Sequence, residues 1–275
     1  MPIEPTLWLE IGPVLWYDKK EENVIPEGWS WIQMNTNWKT AVTIGLAAAG
    51  VGAIYGALYC RAMHPHIPKP EQGKKRIVCV GDSLTYGWGL MGAFQKYAYP
   101  AVLQEKLGNE YQVMNFGICD RTLRDGADRP YRQEKIYAAS LASAPDTVII
   151  LLGTNDAKPG NFDAAGYRND LRSYISVYRN LPSKPDLILM QPPRVFRILG
   201  MVLDGIRDQV ISGEIHEIID EIGQETGCTV IDLYALTEQH RGWFVDGIHL
   251  NRQGTEAVAE AVLKVIGNRN AFDAY

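Results

Sequence analysis

From residue 75 onward the chain alternates short, continuous apolar runs with amphipathic stretches. The runs are residues 76–80 (RIVCV), 112–116 (QVMNF), 147–152 (TVIILL), 186–190 (DLILM) and 229–231. They are rich in branched side chains, and continuous rather than alternating hydrophobicity suits strands covered on both faces. Between them lie helical patterns. Residues 100–107 carry Ala101, Leu103 and Leu107, and residues 210–222 carry Ile211, Ile215, Ile218, Ile219 and Ile222. The last pattern places Val258, Ala261, Val262 and Val265 at i, i+3, i+4 and i+7, with Asn251 as its expected cap and Gly267 as its expected end. Alternating strands and helices over this length predict a parallel sheet with helices on both faces. In such sheets ligands bind beyond the carboxyl ends of the strands, so functional polar residues are expected directly after them.

The pattern before residue 75 is different. Residues 41–60 (AVTIGLAAAGVGAIYGALYC) contain no charged side chain. As a helix this run is about 30 Å long, the thickness of a bilayer core, and Trp38, Lys39, Tyr59 and Arg61 flank it as interfacial anchors would. This predicts a single transmembrane helix over residues 39–61; a buried core helix or a Gly/Ala-rich hairpin is the alternative. Gly52 and Gly56, with Ala48 one turn earlier, give the small-residue spacing that lets a second helix approach closely. The run begins too late and is too long for a cleaved signal peptide. The preceding segment is acidic and free of arginine, unlike a mitochondrial presequence. Basic residues are denser after the run (Arg61, Lys69, Lys74, Lys75, Arg76) than before it, which puts the C-terminal domain on the cytoplasmic or matrix side of its membrane, an organelle membrane such as the mitochondrial inner membrane being one setting. Residues 1–38 hold five of the seven tryptophans, a composition that suits a contact surface or membrane interface better than a disordered tail. Residues 62–74, with Pro65, Pro68 and Pro70, read as a stiff linker. The expected organisation is therefore a Trp-rich tail (1–38), a membrane span (39–61), a linker (62–74) and an α/β domain (75–275). Expected partners are the lipid bilayer and, through residues 1–60, subunits of a membrane complex.

Composition narrows the chemistry. A formal net charge of −5 supplies no basic surface for nucleic acid. Cys60, Cys79, Cys119 and Cys228 are scattered without CxxC or Cys/His spacing, which predicts free thiols and no zinc site. His64, His66, His216 and His240 read as ordinary surface, linker or core residues.

Three segments remain. Gly81-Asp82-Ser83-Leu84 follows the first strand, and a serine on a strand-to-helix turn presents its hydroxyl at the sheet edge beside a helix N-terminus. Asp246-Gly247-Ile248-His249 lies near the end. A serine hydroxyl needs a base; histidine titrates in the right range, and a carboxylate on its far nitrogen sets the tautomer and stabilises the imidazolium. Gly153-Thr154-Asn155-Asp156 follows the third strand, where an asparagine amide can donate to a developing oxyanion. Each signal is weak alone. Together, in the order Ser, Asn, Asp-x-x-His and each at a strand end, they are specific.

On these residues the chain resembles the SGNH or GDSL-type esterases and lipases over roughly residues 75–267. GDSLTYGWG, LLGTNDAKPG and FVDGIHLNRQG look like the first, third and fifth blocks of that family. YPAVLQEKLG, NFGICDRT, DRPY and QPPRVF are similar to its carbohydrate acetylesterase subgroup. The resemblance implies a flavodoxin-like five-stranded parallel sheet, no metal or cofactor, and an ester substrate. It implies Ser83 as nucleophile, His249 as base and Asp246 as its orienting carboxylate. Asn155 and the Ser83 N–H would form the oxyanion hole with a residue of the second block. There the chain departs from the pattern: aligning Asn115 and Thr122 puts Asp120 where glycine is expected. Its N–H would still donate, but its carboxylate brings negative charge towards the oxyanion unless it turns away or pairs with Arg121 or Arg124. The expected function is a membrane-anchored esterase acting through an acyl-serine. An SGNH-fold accessory subunit of a larger membrane assembly, for example a mitochondrial respiratory complex, is the alternative. Residues 191–213 are expected to border the site.

Overall fold

A computed structural model describes residues 49–272, with side chains to residue 267. Five strands form one sheet: β1 (Lys75–Gly81), β2 (Tyr111–Gly117), β3 (Thr147–Leu151), β4 (Asp186–Gln191) and β5 (Thr229–Asp232). They are ordered β2-β1-β3-β4-β5 and every pairing is parallel. All five coincide with the apolar runs to within a residue or two at each end. The central strands β1, β3 and β4 are buried along nearly their whole length, because helices cover both faces. Edge strand β2 alternates buried with half-buried positions instead.

Successive strand residues point to opposite faces, and the core divides accordingly. Val78, Val80, Val148, Ile150, Leu187 and Leu189 pack on one side with Tyr167, Leu171, Tyr174 and Ile175. Ile77, Cys79, Ile149, Leu151, Ile188 and Met190 pack on the other with Leu103, Val258 and Val262. Burying each large aliphatic side chain contributes about 1.5–3 kcal/mol, so these two layers hold the strand ends in place.

Residues 49–63 form a helix, α1. It is followed by α2 (Ser83–Tyr86), α3 (Tyr99–Leu107), α4 (Lys135–Ala142), α5 (Ala164–Arg179), α6 (His216–Thr226) and α7 (Arg252–Phe272). The isoleucine-rich pattern at 210–222 forms helix 208–210, a π-helical turn at Ile211–Ile215 and then α6. Asn251 caps α7: its Oδ1 accepts from the N–H groups of Gln253 and Gly254 at 3.0 and 3.2 Å. Gly267 does not end that helix, which continues to Phe272. A glycine inside a helix costs only about 1 kcal/mol relative to alanine, too little to stop a helix already docked through Val258, Val262 and Ile266.

Residues 1–48, and with them the Trp-rich tail and the first part of the expected span, lie outside the described residues. Among the described residues no helix is long and apolar enough to cross a membrane. A compact unit carrying the sheet begins at Ile54. Ala62 is fully buried against Tyr86 and Cys119, and its carbonyl accepts from the Cys119 N–H at 3.3 Å. The linker is bound down as well, since Gln112 accepts from the Glu71 N–H at 2.7 Å and donates to the Lys69 carbonyl at 2.8 Å. All four cysteines are free.

Candidate active site

The carboxyl ends of β1, β2 and β3 bring their following loops to one edge of the sheet. After β1, Asp82 caps α2, its Oδ1 accepting from the Leu84 N–H at 2.9 Å. Ser83 is thus the first helical residue, and its own N–H has no acceptor within the helix. Two glycines let this short helix sit against the sheet. A Cβ at Gly81 would lie 2.0 Å from Thr85 Oγ1 and 2.7 Å from the Leu151 carbonyl oxygen, and one at Gly117 would lie 2.2 Å from the Tyr86 nitrogen.

The segment carrying Asp246 and His249 is clamped from another loop. Gly247 adopts φ +86, a Cβ there would meet the Phe196 carbonyl at 2.2 Å, and the Phe196 N–H donates to the Gly247 carbonyl at 2.8 Å. Asp246 Oδ1 accepts from the N–H groups of Ile248 and His249 at 3.0 and 2.8 Å. That leaves Oδ2 for His249 Nδ1 at 2.6 Å. His249 Nε2 lies 2.9 Å from Ser83 Oγ. Side chains 166 positions apart in sequence therefore form one continuous chain from hydroxyl through imidazole to carboxylate. Burial works to raise the Asp246 pKa, but the hydrogen bond and charge of His249, with the two backbone donors, outweigh it and hold the carboxyl below its ordinary value. An ionised carboxylate at this position is what an orienting partner of the imidazole requires.

Asn155 follows β3. Its amide nitrogen donates to the Arg121 carbonyl at 3.1 Å and, at 3.3 Å, to Asp82 Oδ2. It lines the same cavity, of about 520 Å³, as Ser83, Asp120 and His249. Asp120 sits in the loop after β2 with φ +66. This left-handed backbone explains why glycine is the expected residue there, and aspartate is among the few others that tolerate it. Its carboxylate pairs with neither Arg121 nor Arg124, which bind Glu134 and Asp163. It bonds Lys158 and, at 2.5 Å, Arg129. Arg121 and Arg124 point away because each holds a neighbouring carboxylate and a carbonyl, those of Cys119 and Asn161.

The pattern of residues left several parts of the site unmarked. Lys158 reaches the cavity from the Gly153–Asn161 turn; Leu203, Asp204 and Ile206 form a wall from within residues 191–213, the stretch expected to border the site. Tyr55 and Tyr59 of α1 form another wall, edge-on to Trp88 with ring centroids at 5.6 and 6.0 Å. Asp156, beside Asn155, is fully buried and accepts from the N–H groups of Leu123 and Arg124 at 2.9 and 2.8 Å, so it ties down the loop that carries Asp120. Burial, against these donors, pushes its pKa up to about 7, and burial pushes Asp82 up to about 6. Neither has a sequence signal beyond adjacency to a motif residue. Among the described residues no His/Cys/Asp/Glu cluster has metal-binding geometry.

Comparison with known proteins places this geometry in context. The model of the GDSL-like lipase/acylhydrolase family matches residues 79–257. The chain is 36% identical over 220 residues to an acetylxylan esterase from Xylanibacter ruminicola, an alignment covering 73% of this chain and 45% of that protein. A GDSL esterase/lipase from Arabidopsis thaliana is 27% identical over 150 residues, covering 48% of this chain and 59% of that one. The chain thus spans about half the length of these two relatives. Among solved structures, a putative arylesterase from Agrobacterium tumefaciens superposes with a TM-score of 0.59 at 27% identity, over 70% of this chain and 99% of the other. A carbohydrate acetylesterase family member from Sinorhizobium meliloti shares the fold, with a TM-score of 0.56 at 24% identity over 70% and 97% of the two chains.

Proposed function

We propose that this chain, which belongs to the GDSL-like lipase/acylhydrolase family, hydrolyses carboxylic esters through an acyl-serine intermediate on Ser83. The observation that carries the reading is the unbroken hydrogen-bonded chain from Ser83 through His249 to Asp246 at a cavity wall. In the proposed reaction Ser83 Oγ attacks the ester carbonyl while His249 Nε2 takes its proton. The negative charge that develops on the carbonyl oxygen is received by the N–H groups of Ser83 and Asp120 and by the Asn155 amide. Asn155 reaches it by giving up its long bond to Asp82, which is 3.3 Å. Collapse of the tetrahedral adduct breaks the C–O bond, and His249 returns the proton to the departing alcohol. Water then attacks the acyl-serine by the same route, releasing the acid. Asp246 stays ionised throughout and stabilises the imidazolium.

The named relatives favour a small acyl group such as acetyl, and acetyl esters are the substrates to test first. Labelling the purified chain with a fluorophosphonate should give one adduct at Ser83, lost in Ser83→Ala together with turnover of p-nitrophenyl acetate. Absence of both label and turnover in the wild-type protein would refute the proposal.

Membrane association belongs to the same proposal and rests on the uncharged run 41–60. A span over 39–61 would have to pull Tyr55 and Tyr59 out of the cavity wall. The run ahead of Ile54 is about 20 Å long as a helix, short of the roughly 30 Å core. The proposed attachment therefore lies within the bilayer interface, tested by extraction of membranes at alkaline pH. A chain that resists extraction as a spanning protein does would overturn it.

A further inference from the structure

We infer that the mouth of the catalytic cavity docks onto a lipid surface, from which it takes an amphiphilic ester. Ten large apolar side chains stand exposed among the described residues. Tyr55, Tyr59 and Leu203 line the catalytic cavity. Met91 and Val245 line a second cavity of about 280 Å³ that shares Tyr55, Trp88 and Asp246 with the first. Leu199 and Met201 belong to the turn just before Leu203, closed by hydrogen bonds in both directions between Ile198 and Met201 at 2.7 and 3.0 Å. That turn stands over the Asp246 loop, because Ile198 lies 3.3 Å from where a Gly247 side chain would begin. Seven of the ten thus come from four separate parts of the chain and converge on one rim. Soluble surfaces scatter such residues singly, and a contiguous group marks a contact surface.

Backbone conformation adds an independent argument. Leu199 and Met91 hold φ +50 and +48 at loop tips and are 94% and 77% exposed. A large apolar residue in the left-handed region is strained, and at such exposure little burial offsets that strain. Glycine or asparagine would relieve it at such tips in a surface facing only water. A bilayer interface supplies the missing burial, since apolar groups settle about 5–10 Å into the headgroup boundary. Separate projecting tips around a hollow suit that soft medium better than the flat, complementary face of a second copy. The uncharged run 41–60 ends in this rim, at Tyr55 and Tyr59. The second cavity, with Leu58, Phe94 and Met91 in its lining, gives the apolar part of the ester a place beside the nucleophile.

Only the kinetic arm of the test rests on the esterase reading. The full chain with Cys60→Ser carries an environment-sensitive fluorophore on Leu199→Cys or, as a remote control on α6, on Gln224→Cys. Dioleoylphosphatidylcholine vesicles should shift emission to the blue at position 199 and leave position 224 unchanged. No shift at 199 overturns the inference, and so does a shift without vesicles that grows with protein concentration, which would mean that a second copy covers the rim. In the kinetic arm, the combined variant Leu199→Glu, Met201→Glu should lower kcat/KM for a vesicle-borne long-chain ester at least tenfold relative to that for dissolved p-nitrophenyl acetate. An unchanged ratio overturns the inference. A blue shift at 199 in a protein without Ser83-dependent turnover would leave lipid docking standing and remove the esterase reading alone.

Discussion

Replacing Asp120 by glycine should raise esterase turnover about tenfold while leaving the fold nearly as stable. Two stability effects oppose each other. The substitution relieves a left-handed aspartate, φ +66, worth about 1 kcal/mol. It also removes ion pairs to Lys158 and Arg129, whose side chains are 15% and 43% exposed, worth about 1 kcal/mol each, and adds the chain entropy of a glycine, about 0.5–1 kcal/mol. The sum lies within about 2 kcal/mol of zero. The effect on catalysis is one-sided. A full negative charge a few ångströms from the developing oxyanion opposes it by about 2–4 kcal/mol at an effective dielectric near 20. The two cations bonded to the carboxylate cancel part of that. Removing the carboxylate leaves the Lys158 ammonium on the cavity wall without its main partner. We take the net gain as about 1.4 kcal/mol, one order of magnitude in rate. Because the charge develops only in the transition state, the gain should appear in kcat with little change in KM, and it should shrink as salt rises. Asp120→Asn separates charge from backbone: it keeps a residue that tolerates φ +66 and should reproduce most of the gain. Adding Lys158→Met to Asp120→Gly should abolish it. Turnover of p-nitrophenyl acetate at two ionic strengths measures all of this. A fall in kcat for both Asp120 variants, with circular dichroism unchanged, would refute the reasoning and show that the carboxylate is needed where it stands.

Three further outcomes follow from the same geometry. Asp246→Asn keeps an acceptor for the Ile248 and His249 N–H groups but turns an NH2 towards His249 Nδ1, forcing the wrong tautomer on the imidazole; kcat should fall about 10⁴-fold, and a loss under tenfold would remove Asp246 from its role. Gly117→Ala puts a methyl 2.2 Å from the Tyr86 nitrogen, a backbone clash that should destabilise the protein by about 1–3 kcal/mol or more and displace Ser83; an unchanged urea midpoint would contradict the packing described. Asp156, raised to about 7 by burial, binds more protons folded than unfolded between its ordinary pKa near 4 and pH 7. Stability from this group is therefore full at low pH and lost as pH climbs through that window. Asp156→Asn gives up one backbone bond but escapes that loss, so its stability deficit against wild type should be smaller at pH 8 than at pH 5, by on the order of 1–3 kcal/mol. A deficit independent of pH, by urea unfolding, would mean that the carboxyl is not raised.

How much of this was legible in the residues depends on whether the constraint is local. The strands were, because a strand covered on both faces leaves a continuous apolar run whatever packs on it. Helix α5 follows the same logic, with Tyr167, Leu171, Tyr174, Ile175 and Tyr178 buried along one side. Ser83, Asn155, Asp246 and His249 could be singled out because the proposed chemistry needs one residue type at each, directly after a strand or within one short loop. Asp120 could be marked as an anomaly but not explained: its backbone angle and its bonds to Lys158 and Arg129 arise only when the loops after β2 and β3 meet. Tyr55 and Tyr59 were the hardest. Their neighbourhood in sequence is uncharged and rich in alanine and glycine, which reads as a partner for lipid. That same lack of charge lets the end of α1 lie against Trp88 and close a cavity. Hydropathy reports what a segment can be buried against, and it does not distinguish a bilayer from the side of an active site. In the proposed lipid docking the two answers meet at one place, since the residues of the uncharged run that line the cavity are also those that rim its mouth. A change at Tyr55 or Tyr59 should therefore alter substrate preference and lipid attachment together, whereas a change at Asn155 should alter turnover alone.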